Sequence, residues 1–151
     1  MLFANSSTVV ASQPTSNGVT TVSLSQQRRF PRRKTSVRAS RDFVIDVLTE
    51  WRLTPLIEDI RLCVSELATN ALVHGAPPGR EFAVRLSATD DLVRLEVRDS
   101  GEGQPVLREP DEESCSGRGL HLAAQLAAEF GVEHHVVGKT VRVAFKRPPA
   151  I

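Results

Sequence analysis

Tyrosine is absent from this chain, tryptophan occurs once and phenylalanine six times. That supply of rings is too thin for a surface that stacks bases, and there is no zinc-finger spacing, so a dedicated nucleic-acid module is not expected. Cysteine occurs only at Cys63 and Cys115. Two cysteines make neither a disulfide framework nor a metal cluster. Cys63 falls in an apolar helical pattern and reads as core. No apolar run approaches the roughly 18 residues of a membrane-spanning helix. The opening Met1-Leu2-Phe3-Ala4-Asn5 has no basic stretch and too little apolar length for a secretory signal. A cytoplasmic location, with no membrane partner, is the resulting expectation.

Acidic residues are missing before Asp42, whereas seven basic residues lie between Arg28 and Arg41. The net charge of +1 hides this asymmetry, because the rest of the chain carries 12 basic against 18 acidic residues. Such a segment can attract an acidic partner, but it reads first as a solvated entry into a helix. Residues 1–27 are rich in Ser, Thr, Asn and Gln and lack charge. They bury too little apolar surface to offset ordering and are expected to form a disordered tail.

What remains, 28–148, is long enough for one domain with a sizeable core. A first helix is expected to start at Thr35 or Ser36, either of which can cap, with Val37, Val44, Val47, Leu48 and Trp51 on its apolar side. A second is expected to start with Thr54 as cap, Pro55 in the first turn, and Glu58 and Asp59 at the positive end of the dipole. Ile60, Val64, Leu67 and Ala71 form its buried stripe, and Gly75 ends it. Phe82, Val84 and Leu86 alternate along one strand, and Val93, Leu95 and Val97 along the next, with a turn at Thr89-Asp90-Asp91 between them. A long polar loop, 100–116, leads to a third helix over Gly117–Phe130. Strands over Val132–Val137 and Val141–Lys146 close the domain, joined at Gly138-Lys139. Helices, hairpin, helix and hairpin in this order predict an α+β fold: a two-layer α/β sandwich with helices on one face of a mostly antiparallel sheet.

Three segments carry chemistry. Glu66, Asn70 and His74 recur every four residues and share one side of the second helix. Their oxygen donors suit Mg²⁺, which takes one or two protein oxygens and fills its shell with water and phosphate. An ordinary polar helix edge has the same pattern. Asp99-Ser100-Gly101-Glu102-Gly103 ends the second strand. Asp99 has the parity of Val97 and should face the covered side of the sheet, where a carboxylate needs donors such as an adenine amine. An Asp-Ser-Gly turn is the plainer alternative. Gly117-Arg118-Gly119-Leu120 opens the third helix, where free amides and the dipole favour phosphate.

In order and spacing these segments resemble the N, G1 and G2 boxes of the GHKL (histidine kinase-like, Bergerat-fold) ATPase superfamily. The likeness is greatest to bacterial anti-sigma-factor serine/threonine kinases and related actinomycete ATP-binding regulators. Gly138-Lys139-Thr140-Val141 resembles the family's last hairpin. The resemblance implies ATP and Mg²⁺ as cofactors. It implies Asn70 as the Mg²⁺ ligand, Glu66 as the base or polariser of an attacking hydroxyl, and Asp99 as the adenine reader with Thr140 assisting. Gly101 and Gly103 would shape the base pocket, and Gly117, Arg118, Gly119 and Leu120 would form the phosphate end. It further implies an anti-sigma-factor antagonist as protein partner, with a sigma factor as a second and a homodimer compatible with it. A protein serine/threonine kinase is the function so implied. A non-catalytic module in which ATP sets partner binding is the alternative.

Overall fold

The computed structural model describes residues 9–14, 20–74, 81–99 and 127–149. The elements run β1 (Val9–Pro14), β2 (Thr20–Pro31), α1 (Thr35–Glu50), α2 (Ile57–His74), β3 (Glu81–Ala88), β4 (Leu92–Asp99), β5 (Glu129–His134) and β6 (Lys139–Lys146). The strands form one sheet in the order β1-β2-β3-β4-β6-β5. Every pairing in it is antiparallel. Both helices pack on one face of this sheet, giving the two-layer α+β sandwich expected.

The core forms where three patterns meet. Phe82, Val84, Leu86, Val93, Leu95 and Val97 are buried on the covered face. Ile60, Cys63, Val64, Leu67, Ala68 and Ala71 of α2, and Phe43, Val44, Val47 and Leu48 of α1, close over them. Phe30 ties β2 in, stacked on Phe82 at 5.6 Å between ring centroids and edge-on to Phe43 at 6.0 Å.

Local details differ from expectation. No side chain caps α1. Lys34 holds the cap position, and the buried Ser36 hydroxyl donates to the carbonyl of Pro31 instead. The helix ends with Arg52 at φ 58°. The amide of Arg52 donates to Thr49 and that of Leu53 to Leu48, at 3.1 and 2.8 Å. This is a Schellman closure, with arginine where glycine is usual. Thr54–Leu56 is a single 3₁₀ turn, so α2 proper starts at Ile57, with Glu58 and Asp59 in its first turn.

The expected tail boundary falls inside β2, which begins at Thr20 and pairs with β3 from Leu24↔Ala88 to Pro31↔Glu81. An edge strand needs backbone partners more than an apolar face. Leu24, Gln26, Arg28 and Phe30 face the helices, and buried Gln26 donates to Glu50 of α1 at 3.2 Å. At the other end, Ala127 and Ala128 are not helical and β5 starts at Glu129, so Phe130 belongs to a strand and not to a third helix. The rest of that expected helix, and the loop before it, lie outside the described residues. The hairpin turn is where the Gly138-Lys139 pair predicts it. Gly138 takes φ 82° and its carbonyl accepts from the amide of His135 at 3.0 Å.

Candidate functional site

The candidate site draws on α2, which packs on β4, and on the paired ends of β4 and β6. α2 packs against β4, so its apolar stripe fixes its rotation, and Glu66 and Asn70 sit half-buried at the border of that stripe. The far end of the helix is held by the basic segment. Arg32 donates from Nε and Nη2 to the carbonyl of Leu72 (Nε at 2.9 Å), satisfying an acceptor that the last turn leaves open. Arg28 lies 5.3 Å over the ring of Phe43. Two of the seven basic residues therefore serve the fold, which agrees with reading the segment as an entry into α1.

Burial pushes the Glu66 carboxyl above its ordinary value of 4.5. Burial also pushes the Cys63 thiol up to about 12, with the carboxylates of Asp59 and Glu66 adding to it. Cys63 thus stays a neutral core residue. Glu66 is a carboxylate with an enhanced grip on a proton, the property a general base needs.

Asp99 is buried at the last position of β4, on the covered face, as its parity predicts. Its carboxylate meets Lys139 Nζ at 3.5 Å. Lys139 stands directly opposite Asp99 in the β4–β6 register. Thr140 is opposite Arg98 instead, so its side chain emerges on the other face of the sheet. There it is buried against His135, whose Nε2 lies 2.8 Å from Thr140 Oγ1. The structure therefore brings Lys139, not Thr140, together with Asp99. Lys139 was missed because the resemblance pointed to the threonine. The signal was present: counting back by twos from Val143 and Val141 reaches Lys139.

A cleft of about 670 Å³ opens between Arg29, Arg85, Glu96, Arg98, Glu133 and His135, and Asp99 and Thr140 also line it. Neither Glu66 nor Asn70 lines it, and across the strands Arg85 faces Glu96 and Glu96 faces Arg142. Such opposite-charge rows stabilise sheets, so the cleft is not the place for the chemistry of α2. Gly101, Gly103, Gly117, Arg118, Gly119 and Leu120 lie outside the described residues. His74 is the last residue of α2.

A profile described as "Histidine kinase-like ATPase domain" matches residues 30–145. The chain belongs to this family. It is 30% identical over 132 residues to the anti-sigma F factor of Bacillus subtilis (strain 168), covering 80% of this chain and 84% of that protein. It is 34% identical over 109 residues to the anti-sigma F factor of Geobacillus thermodenitrificans (strain NG80-2), covering 65% of this chain and 68% of that one. In fold it is similar to the RsbU and RsbW domains of Rv1364c from Mycobacterium tuberculosis, with a TM-score of 0.61 and 23% identity over 82% of this chain. The chain spans about a third of that structure, 33% of its length. The family carries ATP binding with it, and within the family the chain is similar to anti-sigma F factors.

The described residues fit Mg²⁺–ATP. Asp99 offers a buried carboxylate on the covered face, and Asn70 and Glu66 offer hard oxygens side by side on α2. Among the described residues, no three His, Cys, Asp or Glu converge on a point. An ion here would draw most of its ligands from phosphate and water, as Mg²⁺ does.

Proposed function

We propose that the chain is a protein serine/threonine kinase that phosphorylates an anti-sigma-factor antagonist, with a sigma factor as a second protein partner. The observation that carries this reading is the placement of α2: the helix that packs on β4 holds Glu66 and Asn70 half-buried, next to a strand that ends in buried Asp99. Bound Mg²⁺–ATP supplies the phosphoryl group. Asp99 would accept a hydrogen bond from the adenine amine, Asn70 would offer the metal a protein oxygen, and Gly117, Arg118 and Gly119 would hold phosphates. Glu66 would take the proton of the partner's seryl or threonyl hydroxyl as its oxygen bonds to the γ-phosphorus, the bond from that phosphorus to the β–γ bridging oxygen breaks and ADP leaves. Catalysis of this kind rests on positioning and charge, with little covalent work for the protein.

The test separates binding from transfer. Glu66→Gln keeps shape but cannot accept a proton, so single-turnover transfer to the partner falls by about 10²–10⁴-fold while ATP affinity holds. Asn70→Ala instead weakens the Mg²⁺-dependent part of ATP binding. Wild-type transfer rates in Glu66→Gln would sink the mechanism. ATP-dependent partner binding with no transfer by any variant would make the chain a non-catalytic switch.

A further inference from the structure

Lys139 lies in the hairpin that resembles the family's last one, yet the resemblance gave the role beside Asp99 to Thr140 and none to Lys139. It stands opposite Asp99 in the sheet register, on the same face, with Nζ 3.5 Å from the carboxylate. The two side chains are only 19% and 9% exposed, so the pair acts in a dry setting where charge is felt strongly. Thr140, the hydroxyl expected beside Asp99, is turned to the other face and engaged with His135.

We infer that Lys139 sets the base specificity of the nucleotide site: paired with Asp99, it makes the site accept a 6-oxopurine, so guanine nucleotides bind alongside adenine nucleotides. This rests on the nucleotide-site reading above. An ionised carboxylate offers acceptors only and an ammonium offers donors only. Guanine presents the matching edge, with the N1–H and 2-amino donors next to the O6 acceptor. Its donors suit Asp99 and its O6 suits Lys139. Adenine has a 6-amino group where guanine has O6. That amine can donate to Asp99, but it brings N–H bonds toward an ammonium that has no acceptor to offer. A threonine hydroxyl in the place of Lys139 could donate or accept and would not oppose the amine. A site that hydrogen-bonds a polar group discriminates strongly against an analogue that lacks it.

The experiment titrates the full chain with Mg²⁺–ATP, Mg²⁺–GTP and Mg²⁺–ITP, as wild type, Lys139→Thr and Lys139→Gln. Circular dichroism melts confirm that each variant folds. The deciding quantity is the GTP-to-ATP ratio of dissociation constants. Replacing Lys139 removes a charged hydrogen bond to O6, so the ratio is expected to rise about 10–100-fold in both variants. ITP keeps O6 but lacks the 2-amino group, and it should lose affinity in the variants as GTP does. A ratio that changes less than tenfold in both variants, with ATP still bound, overturns the inference and leaves the nucleotide site standing. Failure of the wild type to bind any of the three nucleotides overturns both.

Discussion

At the scale of single residues, burial has opposite uses at Cys63 and Glu66, which are neighbours on α2. At Cys63 it silences a thiol. At Glu66 it raises a carboxyl that stays half open to the site, and the consequence for stability can be worked out. The folded state holds the Glu66 proton more tightly than the unfolded chain, because burial opposes the charge. Protonated Glu66 therefore favours folding below the ordinary value of 4.5, and that advantage is lost as pH rises through the raised folded-state value. Glutamine carries no charge to bury. Glu66→Gln should thus melt above wild type at neutral pH, and the gap should close as the pH is taken below about 4.5. Melting temperatures of both proteins between pH 4 and 8 check this. A gap that is flat across the range would mean that the carboxyl titrates alike in both states. A residue that is costly to keep charged at neutral pH is what a catalytic role on α2 would require.

At the scale of elements, β2 separates what the chain's pattern announces from what pairing decides. β3 and β4 were legible because Phe82, Val84, Leu86, Val93, Leu95 and Val97 alternate with polar residues, and α2 because its stripe repeats at helical spacing. The same parity placed Asp99 on the covered face. β2 has no such stripe beyond Leu24 and Phe30, and its order comes from hydrogen bonds to β3, a strand distant in the sequence, with pairings from Leu24↔Ala88 to Pro31↔Glu81. The faces of Lys139 and Thr140 were legible only by parity, since a one-residue slip exchanges them. Closure of α1 by Arg52 was hidden, because nothing local marks an arginine for the left-handed region. A deletion measures what β2 contributes. Removing residues 1–26 takes away the Leu24↔Ala88, Ser25↔Ser87 and Gln26↔Leu86 pairings and the bond from Gln26 to Glu50. The melting temperature should fall clearly, by about 1–3 kcal/mol of stability for one buried bond and a few edge pairings. Removing residues 1–14 should cost much less, because it strips only β1 from the edge. Equal melting temperatures for both deletions and the full chain would return β2's first half to the status of a tail.

At the scale of the whole molecule, the two faces of the sheet divide the work. The covered face holds the core, and the candidate site is a continuation of it: Asp99 extends the row of Val93, Leu95 and Val97, and Glu66 and Asn70 border the stripe of Leu67 and Ala71. The uncovered face carries paired charges. A site assembled from α2, β4 and β6 exists only when the layers are closed, so a nucleotide bound there must stabilise the fold as a whole. At a concentration about 100 times its dissociation constant, a ligand of the native state alone adds about 2.7 kcal/mol. For a domain of this size, that raises the melting temperature by roughly 5–15 °C. Mg²⁺–ATP should produce this shift in the wild type. Asp99→Asn, which removes the charge that would read the base, should lose affinity by about 10–100-fold and with it roughly half or more of the shift at the same ATP concentration. Lys139 then faces an amide in place of a carboxylate, so the variant's unliganded melting temperature serves as the baseline for its own shift. An ATP-induced rise of the same size in Asp99→Asn and wild type would mean that the Asp99 carboxylate does not read the base, and substitution at Arg85 and Arg98 would then test the rest of the cleft that Asp99 also lines.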